Sequence, residues 1–260
     1  MGHSRIGTLP NTQMWDGVVR PIANGANVEA VAERTLVAAQ KALLTTKGDA
    51  GFREAVFLMA QVGLAAKSKD AVAALAAVGI DLQNGYSAAD LAAAVSAAVD
   101  RRMEGSGQRS DWGEMAKGAL VSAMTQCLMS KGQTMFDATR QDLNAGLKPL
   151  HGEKGFGHLG RAFFGTLALR VLNYFLSKTL GTHVGKGRRF ATMKEYSEFK
   201  RGMVAHCNET AVIVDKFSGQ WLQKQLRENG GVITREAAEG FGAHAIHKMQ
   251  MELAARAGRK

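Results

Sequence analysis

One apolar stretch restricts the fold of this chain more than any other feature. It covers residues 159–181, where apolar side chains occupy two adjoining faces of a helix and leave a narrow polar seam of Arg170, Asn173 and Ser177. Because both apolar faces need a covering layer of protein, the stretch predicts a central core helix. The apolar positions are Phe163, Leu167, Val171 and Tyr174 on one face and Leu169, Leu172, Leu176 and Leu180 on the other.

The same stretch is long enough to cross a membrane. It contains Arg161, Arg170 and Lys178, and an arginine at the centre of a span costs about 3 kcal/mol on insertion scales. We therefore predict no transmembrane span. Peripheral attachment to a membrane, through this helix and the basic surface described below, is an alternative that the sequence leaves open.

The remainder of the chain also has helical rather than strand periodicity. No run alternates apolar and polar residues over the length of a strand, so we predict an all-α, multi-helix globular bundle of about eight to ten helices. Capping boxes at Ser87–Asp90 and Thr192–Glu195 mark two helix starts. The predicted helices cover approximately residues 28–45, 52–66, 69–78, 88–104, 111–130, 133–146, 193–226 with a break near Gly202, and 235–257.

Residues 1–26 differ from this pattern. They contain two of the three prolines and show no helical period, which predicts an extended N-terminal arm that docks through Ile6, Leu9 and Trp15.

A short run of small and polar residues, Gly105–Ser110, is the best candidate for a linker. It would separate an N-terminal helical subdomain, residues 27–104, from a basic C-terminal helical subdomain, residues 111–260. One continuous domain is the alternative.

Positive charge is concentrated in the second part of the chain. The formal net charge is +10, and residues 151–260, with 18 Lys+Arg against 9 Asp+Glu, carry +9 of it. Such a bias attracts phosphates, acidic proteins or anionic lipid headgroups. We therefore expect an acidic protein partner or a nucleic-acid phosphate backbone, against the alternative that the charge only keeps the protein soluble.

The strongest cluster of candidate anion-binding residues lies between the apolar stretch and the helix that Thr192 begins. Cations just before a helix N-terminus converge with its unpaired amides, and that combination favours an anion site. The candidate residues are Lys186, Arg188 and Arg189, continued by Lys194, Lys200 and Arg201.

Gly155–Gly160 matches the GxGxxG pattern of dinucleotide-binding folds. In those folds a strand precedes the glycines and an acidic residue follows about 20 positions later, and this chain has neither. The pattern therefore predicts glycines for helix entry and for close packing against the core.

Histidines suggest a second kind of site. His206 and Glu209 stand three residues apart on one predicted helix, as do His244 and His247 on another. If the two helices faced each other, these side chains could bind zinc, iron or manganese and activate water, with Glu239 as a base. This hypothesis would make the protein a metal-dependent enzyme; otherwise no cofactor is expected.

Cysteine chemistry is not expected. His206 and Cys207 are adjacent, and adjacent helical residues point about 100° apart, so they cannot form a catalytic pair alone. Cys127 and Cys207 lie far apart in helical apolar patterns, where a thiol behaves as a small buried hydrophobe. Together with the absence of an apolar export segment, they predict a cytoplasmic protein.

The leading functional hypothesis is a non-enzymatic interaction or scaffold subunit. It would dock through its basic C-terminal surface on a protein complex or on a nucleic-acid backbone, itself being an oligomer or a complex subunit. Contacts of this kind are independent of base sequence and sensitive to salt.

Overall fold

The fold is built almost entirely from helices. The computed structural model describes residues 3–4, 13–38, 48–83, 85–129 and 138–257. Within these ranges there are eleven α-helices, and the only strands, β1 (His3–Ser4) and β2 (Arg109–Ser110), pair in parallel. The helices are α1 (Gln13–Ala23), α2 (Val28–Ala38), α3 (Ala50–Ala65), α4 (Ala71–Ala76), α5 (Ala88–Gly105), α6 (Asp111–Met129), α7 (Arg140–Leu147), α8 (Gly152–Thr182), α9 (Met193–Thr210), α10 (Val212–Glu228) and α11 (Arg235–Ala257), with a 3₁₀ turn at Lys148–Leu150.

The predicted all-α class is confirmed, and several helix starts follow from their capping residues. At the start of α5, Ser87 accepts a hydrogen bond from the Asp90 amide, and the Asp90 carboxylate accepts one from the Ser87 amide at 2.9 Å. The hydrogen bond from the Ser87 hydroxyl lowers the pKa of Asp90. Thr139 and Asp142 form the same box before α7.

The predicted extended arm is wrong for residues 13–23, which form α1. Trp15, Val18 and Ile22 follow helical spacing and are buried, so tertiary packing outweighs the poor helix propensity of Pro21. Proline cannot donate to the carbonyl of Gly17 four residues earlier, and the guanidinium of Arg34 donates to that carbonyl instead, at 3.3 Å. Ile6 and Leu9, the other predicted docking residues, lie outside the described residues.

The predicted 193–226 helix is two helices, α9 and α10. The chain turns at Ala211, whose amide donates to the Cys207 carbonyl at 3.0 Å. Gly202, the expected break, is an ordinary position of α9, where a Cβ would meet Val28 of α2 at 3.1 Å. The parts of predicted helices that fall at residues 39–45 and 133–137 lie outside the described residues.

One hydrophobic cluster extends through the described helices. It includes buried side chains from Trp15 in α1 to Met249 in α11, so helices on both sides of Gly105–Ser110 contribute to it. The subdomain boundary at that position stays a prediction.

Helix α8 is the central helix that the apolar stretch predicts. Leu167 and Val171 on one face and Leu172 and Leu176 on the other are buried. Tyr174 is partly exposed and donates to the Asp111 carboxylate of α6 at 2.6 Å. No helix in the described ranges has the length and apolar character that a membrane span needs.

The glycines of the GxGxxG pattern lie within α8 and serve close helix packing. A Cβ at Gly157 would meet the backbone oxygen of Asp215 in α10 at 2.8 Å, and one at Gly160 would meet the Ser218 hydroxyl at 2.7 Å. Real Cβ atoms do not approach so closely, so these positions accept only glycine at the present helix separation. The packing interpretation of this motif is confirmed.

Gly157→Ala tests this packing. We expect it to lower the free energy of unfolding by about 1–3 kcal/mol, because the new methyl group forces α10 away from α8. Urea unfolding at constant m-value measures the change. Gly181→Ala on the same helix is the matched control, since a Cβ there meets nothing within 4 Å; it should be neutral or stabilising. Equal effects of the two substitutions would contradict the packing role.

An ion pair between a buried carboxylate and a partly exposed guanidinium joins α3 to the start of α11. The Glu54 carboxylate is 5% exposed and accepts two hydrogen bonds from the Arg235 guanidinium, at 2.7 and 2.9 Å. The same guanidinium lies 4.1 Å from the centroid of the Phe57 ring, and Arg102 of α5 approaches Glu54 at 3.8 Å. The hydrogen bonds with Glu54 raise the pKa of Arg235.

Arg235→Met should destabilise the protein by about 2–3 kcal/mol, because it leaves a buried carboxylate with only the longer contact to Arg102. Arg201→Met removes the exposed pair with Glu198, at 3.8 Å, and should cost less than about 1 kcal/mol. Urea unfolding of both variants gives the comparison. A similar loss of unfolding free energy in both variants would show that the burial of the Glu54 carboxylate does not add to the strength of its ion pair.

Candidate anion-binding loop

The segment between α8 and α9, residues 183–192, is a folded loop that we call the cationic loop. The Phe190 amide donates to the His183 carbonyl at 3.0 Å, and the Gly185 amide donates to the Phe190 carbonyl at 2.9 Å. Gly185 and Gly187 have φ values of 135° and 72°, which side chains beyond glycine rarely adopt. These bonds and turns fix the path of the loop backbone.

Phe190 anchors the loop to α9. Its side chain is fully buried, with ring centroids 5.6 Å from Tyr196 and 5.3 Å from Phe199. The aromatic residues beside the loop therefore pack on one another and hold its base in place.

The predicted cations project from this fixed backbone. Lys186 and Arg188 are exposed and Arg189 is half-buried. The Arg188 guanidinium donates to the Thr182 carbonyl, and that of Arg189 lies 5.0 Å from the Phe190 ring centroid. Within the described residues none of these three cations pairs with a carboxylate. Three uncompensated positive charges are thus held on one short loop.

Two of the backbone amides at the start of α9, those of Ala191 and Glu195, are already hydrogen-bonded within the chain. The Thr192 hydroxyl accepts from the Glu195 amide at 3.3 Å, and the Glu195 carboxylate accepts from the Ala191 amide at 2.8 Å. In a capping box the Glu195 carboxylate would accept from the amide of the N-cap residue, Thr192. Here it accepts from the amide of the preceding residue, Ala191. An anion at the cationic loop would be held by side chains, while the helix N-terminus holds Glu195.

The predicted continuation of the positive run along α9 is of mixed charge. Lys194, Lys200 and Arg201 are exposed; Lys200 lies 5.8 Å from the Tyr196 ring centroid, and Arg201 pairs with Glu198. Three acidic side chains, Glu195, Glu198 and Glu209, are exposed on the same helix. The net positive charge is therefore concentrated in the loop itself.

The four residues of the metal hypothesis are not assembled into a site. His206 is buried in α9, Glu209 is exposed on the same helix, and His244 and His247 are exposed on α11. The part of the chain that the structure describes holds no group of three or more His, Cys, Asp or Glu side chains that could bind a metal ion.

Glu239, the candidate base, forms contacts with other residues instead. Its carboxylate pairs with Arg53 at 3.0 Å and accepts a hydrogen bond from the Gly48 amide at 3.0 Å. These contacts tie α11 to the beginning of α3.

Cys207 behaves as the small buried hydrophobe that its position in the pattern predicts. The side chain is 1% exposed, and burial raises the pKa of its thiol to about 12. The thiolate is the reactive form of cysteine, so Cys207 is almost entirely unreactive at neutral pH.

This burial gives a measurable consequence. In a Cys127→Ser variant, iodoacetamide at pH 8 should alkylate Cys207 at least about a hundredfold more slowly in the folded protein than in urea, since about 10⁻⁴ of the folded thiol is ionised at that pH. Mass spectrometry measures the rate. Because the folded-state pKa is raised, alkylation should accelerate as the pH rises towards 10. Rapid labelling of the folded protein at pH 8 would contradict this burial.

Comparison of the chain with models of known protein families, with curated proteins and with solved structures gave no match.

Proposed function

We propose that this protein is an interaction protein that binds the phosphate backbone of nucleic acid through the cationic loop. One observation carries the proposal: Lys186, Arg188 and Arg189 project from a hydrogen-bonded loop without carboxylate partners among the described residues. Other exposed cations, such as Lys67, Lys69 and Lys148, also form no ion pair among the described residues, so the loop is distinguished by having three cations within four consecutive positions of one hydrogen-bonded segment. Cations that share a carboxylate, as Arg109 and Lys117 share Asp100 at 2.8 Å, have less potential left for a partner.

The types of side chain favour phosphate. A guanidinium is planar and presents several donors that match phosphate oxygens, and it is weakly hydrated compared with an ammonium. Local contacts restrict both arginines before any partner binds, which reduces the entropy lost on binding.

We expect contacts to the backbone rather than to the bases. Phe190 and Phe199 are buried, and Tyr196 packs against Phe190, so the loop presents no free aromatic face for base stacking in the described region. Binding should therefore be independent of base sequence and similar for single and double strands at matched phosphate density. An acidic protein surface is the competing partner.

The test compares two variants of equal net charge. Replacing Lys186, Arg188 and Arg189 by alanine should weaken binding to a fluorescent DNA duplex and reduce the slope of log K against log salt by about 2–3, because each phosphate contact contributes about 0.9. Fluorescence anisotropy across a salt series gives the slope. The control replaces the exposed Lys67, Lys69 and Lys148 by alanine and should change it by less than about one.

Equal losses in both triple variants would show that binding depends on net charge and would overturn the assignment to the loop. Absence of binding by the unmodified protein at low salt would exclude nucleic acid and leave the acidic protein surface as the partner class. Circular dichroism of each variant checks that helicity is unchanged.

A further inference from the structure

An open groove with an aromatic floor lies between α10 and α11, distinct from the cationic loop. Its volume is about 440 Å³, within the range of roughly 300–1,000 Å³ that is usual for small-molecule sites. Trp221 stacks on Phe241 with ring centroids 4.4 Å apart, and Phe217 meets Phe241 edge-on at 5.9 Å. Phe217 and Trp221 are only half-buried, so parts of both rings are open to the groove.

The polar side chains that line the groove are cationic or neutral. Lys224 and His244 are exposed, and the amide of Gln220 lies beside them. Lys224 pairs with Glu228 at 3.9 Å, but both side chains are about 60% exposed, so this pair is weak and its ammonium can turn to a ligand. Among the described residues no carboxylate lines the groove.

Space at the mouth of the groove is provided by Gly240. This position is exposed in the second turn of α11, and a Cβ there would meet nothing within 4 Å. One turn earlier the lining residue is Ala237. Small side chains therefore leave access to the aromatic floor.

We propose that this groove binds a small aromatic anion. The ligand's ring packs against Phe217 and Trp221, and its carboxylate, sulfonate or phosphate group faces Lys224 and His244. Aromatic rings prefer offset or edge-to-face contacts with other rings, and the half-exposed edges of the floor allow both. The Lys224 ammonium complements the negative group, and the His244 ring adds a hydrogen-bond donor, whereas a neutral ring would gain nothing from the charge.

Two fluorescent probes separate the requirement for an aromatic ring from the requirement for a negative charge. 8-Anilinonaphthalene-1-sulfonate carries an aromatic system and a negative charge, and N-phenyl-1-naphthylamine has the same rings without the charge. We expect saturable 1:1 binding of the sulfonate, with energy transfer from Trp221, and at least about fivefold weaker binding of the neutral probe. Energy transfer depends on distance and is not prevented by burial, so Trp15 and Trp112 also contribute to it. Because Trp221 borders the groove, Trp221→Phe should lower the transfer more than Trp112→Phe does.

Two substitutions locate the site. Gly240→Leu should abolish sulfonate binding, because its side chain occupies the groove while improving helix propensity. Lys224→Gln should weaken sulfonate binding about twofold to fivefold and leave the neutral probe unaffected. Ala205→Leu adds the same side chain at an exposed position of α9 and should leave affinity unchanged.

Equal binding of the two probes would overturn the charge requirement. Unchanged sulfonate binding in Gly240→Leu, with circular dichroism showing a folded protein, would overturn the location. If Gly240→Leu does not fold, the comparison of Trp221→Phe with Trp112→Phe decides the location instead, and an equal loss of transfer in both would overturn it. None of these outcomes depends on nucleic-acid binding by the cationic loop.

Discussion

The close contact between α8 and α10 determines where both proposed binding surfaces lie. Glycines near the start of α8 bring α10 within backbone distance, at Gly157 against Asp215 and Gly160 against Ser218. This contact places the first turns of α10 beside the first turns of α8, and the groove with α11 follows immediately. The cationic loop begins at the other end of α8, after Thr182. At 1.5 Å per residue, Gly160 and Thr182 are about 33 Å apart along the helix axis, so the two surfaces can bind independently.

The positions of the ion pairs and the clustering of cations, rather than the overall composition, decide where positive charge can attract an anionic partner. The count of +9 over residues 151–260 predicts a basic half, but most of α9 balances its cations with glutamates. In the first half, Arg140 pairs with Asp70, and its hydrogen bond lowers the pKa of that carboxyl. The cationic loop differs because three cations stand within four consecutive residues, and none of them pairs with a carboxylate within the described structure. A local surplus of this kind attracts a phosphate more effectively than a larger charge spread over paired residues.

Much of the helical order could be predicted because local sequence carries it. The caps at Ser87 and Thr192 and the two apolar faces of α8 are signals within a few residues of the structure they produce. The predictions that failed involve contacts between residues that are distant in sequence. Helix α1 forms despite Pro21 because Trp15, Val18 and Ile22 pack into the core, with Arg34 donating to the carbonyl of Gly17. The local sequence pattern reports neither contact.

The same limit applies to the sites. The cationic loop is contiguous in sequence, so its residues could be named in advance, but the hydrogen bond from the Ala191 amide to the Glu195 carboxylate depends on the path of the loop. The histidine pairs were correctly placed on helices, yet convergence of the two pairs depends on how α9 and α11 pack, which the sequence does not report. The aromatic groove was missed because Trp221 follows the helical spacing of buried residues. In the structure Trp221 is only half-buried, and part of its ring is open to the groove.

Glycines in this chain serve two opposite purposes, and the surroundings of each distinguish them. At Gly157 and Gly160 the missing side chain is replaced by atoms of α10, so the helix-propensity cost, about 1 kcal/mol relative to alanine, is offset by close packing. Gly240 bears the same cost, but no atom of the chain lies within 4 Å of the Cβ that it lacks. Packing within the chain therefore does not account for glycine at this position. The same holds for Gly181 at the end of α8; Gly240 differs in that its open volume borders the aromatic groove, where the proposed ligand would lie.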